Sequence, residues 1–144
     1  MKKYITLLAL PFFILTSCET GPSEAEQKDE LESTVMTVHD EAMAKMGDIY
    51  KMRRNLRTLR DTLEARQTDS TSLQALQAEI SGLNQADEAM MQWMRNYSAP
   101  DTLQHEQAMT YLQQELEKIE RVQIIMDSTL QAARATYIQY EQQK

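Results

Sequence analysis

Two histidines and a set of methionines are the side chains in this sequence whose types and spacing suit chemistry. His39 with Met43, and His105 with Met109, each stand four residues apart, so each pair shares a face if its segment is helical. Imidazole and thioether ligands together suit Cu(I), and His/Met ligation also holds haem iron. Met94 joins the two pairs if the chain folds back on itself, which makes His39, Met43, Met94, His105 and Met109 a candidate copper or haem site. Against that stands the ordinary use of methionine as the flexible filler of helical cores and adaptable binding surfaces. The lone cysteine, Cys18, leaves no Cys-x-x-Cys-His haem attachment, and the packing reading is the favoured one. No cofactor is therefore expected, with copper or haem as the alternative.

Asp87 is the second residue to account for, because it interrupts an otherwise apolar helical series. A carboxylate facing a core needs a partner, and Tyr50 or Arg53 would lie at its level. Such a pair fixes register. No nucleophile accompanies it, so no catalytic residue is assigned and the chain is read as a non-enzyme. Lys51, Arg53, Arg54, Arg57, Arg60 and Arg66 form a basic stretch. It suits pairing with Glu115, Glu117 and Glu120, or docking onto phosphates of an anionic envelope surface.

The elements that position these residues follow from periodicity. Val35, Ala42, Ile49, Leu56 and Leu63 recur every seven residues, predicting a helix over about 33–67 that runs through Gly47. Thr71 and Gln74 fit a capping box at the start of a second helix, about 71–97, with Leu73, Leu76, Ile80, Leu83, Met90 and Met94 on one face. A third, about 100–142, carries Met109, Leu112, Leu116, Ile119, Met126 and Leu130. The expected fold is all-α, an up-down-up three-helix bundle with coiled-coil-like seams. A hairpin turning near residue 69 sets residue n of the first helix opposite about 137 − n of the second. A turn near Pro100 then brings His105 level with about residue 92, so the His and Met residues gather at one end. Unequal helix lengths leave 129–144 overhanging or bent back, and Leu130, Tyr137, Ile138 and Tyr140 become a candidate partner surface. The five-residue similarity among 39–43, 86–90 and 105–109 is too short to establish duplication.

The first residues give an address. Lys2 and Lys3 precede an apolar run, Tyr4 to Leu15, that is shorter than the ~20 residues needed to span a bilayer and fits a signal-peptide core. Leu15-Thr16-Ser17-Cys18 resembles the lipobox of bacterial lipoproteins. That resemblance implies cleavage before Cys18, acylation of its sulfur and new amino group, and stable anchoring by two or three acyl chains. Residues 1–17 are then the leader, 18–32 a lipidated flexible tether, and 33–144 the bundle. Lys28-Asp29-Glu30 resembles the surface-export signals of Bacteroidota-type lipoproteins, though further from the cysteine than usual. The expected location is the outer membrane, on its periplasmic or outer side.

Composition narrows the function. The 144-residue chain carries 15 Lys+Arg against 22 Asp+Glu. Removing residues 1–17, which hold Lys2, Lys3 and no acid, leaves a net charge of −9 on 127 residues. An acidic chain of that kind is not a backbone-neutralising nucleic-acid binder. Three glycines and three prolines leave no Gly-rich phosphate loop.

The stretches His39–Ile49 and Ala86–Met94, with the Leu-x3-Leu-x2-Ile-x2-Val series ending at Val122, resemble a family of small helical lipoproteins from Bacteroidota. Many members carry the automatic label "viral A-type inclusion protein". The resemblance implies an all-helical lipoprotein and brings no assigned activity, cofactor or site. The expected role is structural or adaptor binding in the envelope, with the bilayer and an unidentified envelope protein or a second copy as partners.

Overall fold

The computed structural model describes residues 21–67 and 69–142. The leader, Cys18 and the first residues of the expected tether lie outside the described residues. Among the described residues four helices form, α1 (Glu24–Met43), α2 (Met46–Ala65), α3 (Ser70–Asn96) and α4 (His105–Glu141). They make an all-α bundle of three rods, since α1 and α2 are two lengths of one bent rod.

The rod begins nine residues earlier than apolar periodicity indicates. Ser23 starts it with a reciprocal cap: its amide donates to Glu26 Oε2 at 2.7 Å, and its Oγ accepts from the Glu26 amide at 3.3 Å. Glu24 and Glu26 also place negative charge at the positive end of the helix dipole. Residues 24–32 are therefore helical and not a tether. Their few apolar side chains hid them, and the Ser-x-x-Glu signature was the available signal.

The single long helix expected over 33–67 is interrupted at Ala44–Lys45. Here the Lys45 amide donates to Ala42 O, three residues back instead of four. Beyond this point α1 lies along α4 and barely meets α3, whereas α2 packs on both α3 and α4. Asp69 caps α3 in place of Thr71, accepting from the Ser72 amide at 3.0 Å and the Ser72 hydroxyl at 2.9 Å.

Registers can be read from polar contacts. Arg53 meets Asn84 and Arg60 meets Gln77, so α2 and α3 pair antiparallel with the expected sum of 137. Gln123 meets Glu41 and Lys45 meets Asp127, so α1 and α4 run parallel with an offset of 82. Thr136 donates to Glu79 and Thr129 packs beside Gly82, which aligns the end of α4 with the start of α3.

The last register corrects the expected overhang. Residues 97–104 form a connection longer than a tight turn, and α4 starts past the end of α3. Its 37 residues therefore cover the extra turns of α1 first and all of α3 afterwards. Leu130 and Ala133 are buried at 5% and 0%, and Tyr137 and Tyr140 pack half-buried on the core. Of the residues expected to form a partner surface, Ile138 alone is exposed. The core runs from Val35 to Ala133 through Ile49, Leu56, Leu63, Leu83, Met90, Leu112, Ile119 and Met126.

Candidate functional site

In the register of α2 on α3, Asn96 at the end of α3 is level with about residue 41, so α1 meets only the last turn of α3 and the connection beyond it, and aromatic side chains pack there. The His39 ring stacks on Trp93 with centroids 5.4 Å apart, Trp93 stacks on Tyr97 at 4.9 Å, and Tyr97 meets Tyr111 at 6.3 Å. Tyr97 Oη donates to Glu32 at 3.2 Å, and Tyr111 Oη accepts from the Ser98 amide at 3.0 Å. Burial, then the Glu32 charge, pushes the Tyr97 hydroxyl well above its ordinary pKa, so it stays a neutral donor. Trp93 Nε1 is buried without a hydrogen-bond partner among the described residues.

His39 is thus a stacked side chain whose Nδ1 donates to Asp40 at 2.9 Å. His105 is elsewhere. The offset of 82 places it level with residue 23, sixteen residues, or about 24 Å of helix, from His39. Met109 shares a groove with Gln27, Leu31 and Thr34, also away from His39. Met43 is half-buried against the core, and Met94 is 38% exposed. The five residues expected to converge are not brought together. The cause is the eight-residue connection: a tight turn at Pro100 would have folded His105 back, but the chain carries α4 onward before reversing.

Asp87 finds its expected partner. Arg53 Nη1 donates to Asp87 Oδ2 at 2.9 Å and to Asn84 Oδ1 at 3.0 Å, both charged side chains being less than a third exposed. The rest of the basic stretch does not meet the α4 acids. Glu115 is buried and bound by Lys118 at 2.6 Å, while Arg60 pairs with Asp61 and Gln77. Among the described residues no carboxylate pairs with Arg54 or Arg57. They line a cleft of about 370 Å³ with Tyr50, Arg53 and Asn84.

A second helical stripe, which core periodicity hides, runs along the outside of the bent rod. Met36, Asp40, Met43, Gly47, Tyr50, Arg54 and Arg57 follow one another at alternating spacings of four and three. Ala44 and Lys45 keep right-handed helical dihedrals, so the stripe passes through the bend on one face. Tyr50 is 59% exposed and the Asp40 side chain 77%. The stripe carries one carboxylate, Asp40, on α1 and two guanidinium groups, Arg54 and Arg57, on α2. The chain matches no protein-family model, no curated protein and no solved structure.

Proposed function

We propose that this chain is a lipid-anchored lipoprotein of the bacterial cell envelope that acts without catalysis, by binding another protein. The observation that carries the reading is Leu15-Thr16-Ser17-Cys18 directly after a short apolar run with two leading lysines. Two or three acyl chains on Cys18 hold a protein on a membrane where one chain gives only marginal binding. No described helix is long and apolar enough to cross a membrane, so lipid is the membrane attachment this reading relies on. Residues 39–49 and 86–94 support the same reading through their resemblance to small Bacteroidota lipoproteins, with the outer membrane as the location.

The binding part rests on the outer stripe, which carries exposed Tyr50, half-buried Met36 and Met43, and Arg54 and Arg57, which have no carboxylate partner among the described residues. Adaptable methionine and aromatic side chains are common on binding surfaces. A copper or haem role loses its basis with the separation of His39 from His105.

The test is metabolic labelling of the full chain with a radioactive or clickable palmitate analogue, followed by membrane fractionation. The native chain is expected to take up label and sediment with the outer membrane, whereas Cys18→Ser takes up none. A native chain that stays unlabelled and soluble after export would overturn the anchor.

A further inference from the structure

The outer stripe of the bent rod has a charge order that suits a second copy of itself. On the stripe the α1 half carries Asp40, and α1 as a whole sets Glu24, Glu26, Asp29, Glu30, Glu32, Asp40 and Glu41 against Lys28 alone. The α2 end is basic, with Lys51, Arg53, Arg54, Arg57 and Arg60 in ten residues that hold no acid. Gly47 sits between them. It is exposed, and a Cβ placed on it meets nothing within 4 Å. Its φ is not positive, so neither backbone conformation nor packing within the chain requires glycine there. Glycine at an exposed helical position, flanked by Met43 and Tyr50, leaves room for another helix backbone to approach.

We infer that two copies pair through this stripe as an antiparallel, two-fold symmetric dimer with Gly47 at the crossing point. Two-fold symmetry makes the surface its own complement, so each contact occurs twice. With Gly47 opposite Gly47, residue n of one copy faces about 94 − n of the other. Asp40 of each copy then meets Arg54 of the second, and Met43 meets Tyr50. The acidic and basic ends are complementary in this direction, whereas a parallel pairing would set acid on acid and arginine on arginine. Arg54, which has no carboxylate partner among the described residues, gains Asp40 across the interface. The dimer goes beyond the anchored-adaptor reading, since it names the partner that this surface takes.

The experiment is disulfide trapping of the full chain in envelope membranes, read on a non-reducing gel after a mild oxidant. Gly47→Cys puts two sulfurs at the symmetry axis, within the ~7 Å Cα separation a disulfide permits. The open space above residue 47 means the substitution is compatible with the fold. A cross-linked dimer is expected as the main species, well above the native chain with Cys18 alone and above Glu117→Cys on the exposed face of α4. In the Gly47→Cys background, Asp40→Arg should reduce cross-linking several-fold, and adding Arg54→Asp should restore it. Cross-linking no greater than in Glu117→Cys would overturn the dimer. Cross-linking that the paired charge swap fails to restore would overturn the antiparallel register. In either case palmitate labelling is untouched, so failure here is distinguishable from failure of the anchor.

Discussion

Arg53 and Asp87 show how much one half-buried contact decides. A lone aspartate on the core side of α3 would be costly, and the guanidinium two rungs away on α2 both neutralises it and sets the pairing sum of the hairpin. A double-mutant cycle with Arg53→Met and Asp87→Leu, followed by urea unfolding, should give a coupling of about 1–2 kcal/mol. Gln67 makes the opposite point. It takes φ 59° after the end of α2, a conformation that favours glycine, so Gln67→Gly should raise stability by about 1 kcal/mol in the same assay. The caps respond to pH. The Ser23 amide and then its hydroxyl hold Glu26 below its ordinary 4.5, and the Ser72 amide and hydroxyl likewise hold Asp69 below 3.8. Because both are lowered on folding, the caps contribute fully above the ordinary values and are lost as pH falls through the lower folded ones. Carboxyl carbon shifts in an NMR titration should place both midpoints below those of a denatured chain. Equal midpoints would remove the caps from the account.

At the scale of elements, three apolar seams were legible because burial on one face writes a period near 3.5 directly into the sequence. Ala42, Ile49, Leu56, Leu63, Leu76, Leu83, Met90, Leu112, Ile119 and Met126 are all buried as that period requires. The α2–α3 register was legible too, since a short turn leaves little freedom. The first turns of α1 were obscured by their charge, although Ser23 and Glu26 encode them. The interruption at Ala44–Lys45 has no sequence marker, as neither residue breaks helices and Gly47 lies beyond it. The path of residues 97–104 was the consequential miss. Pro100 marks where α3 stops but does not say how far the chain travels before α4, and that distance separates His105 from His39. The same path puts the end of α4 to structural use. Deleting residues 129–144 removes Leu130 and Ala133 along with half-buried Tyr137 and Tyr140, beside Leu76 and Ile80 on α3. The truncated chain should lose on the order of 5 kcal/mol and unfold without a sharp transition by circular dichroism. A chain that unfolds as cooperatively as the native one would contradict the register of α4.

For the whole molecule, α1 sets seven acids against one lysine, and the middle of α2 holds five basic residues in a row of ten without an acid, of which Arg54 and Arg57 have no carboxylate partner among the described residues. A rod so divided disfavours parallel pairing of two copies and favours the antiparallel pairing inferred above. Charge screening should therefore matter: association of the native chain should weaken between low and high salt, measured by analytical ultracentrifugation in detergent. Anchoring and pairing are joint expectations of the account, and one measurement reads both. Native mass spectrometry of the full chain extracted from envelope membranes reports the covalent mass at Cys18 and the number of subunits together. The account predicts a dimer whose chains begin at Cys18 and carry two or three acyl groups each. A monomer that retains residues 1–17, with no lipid mass, would contradict it.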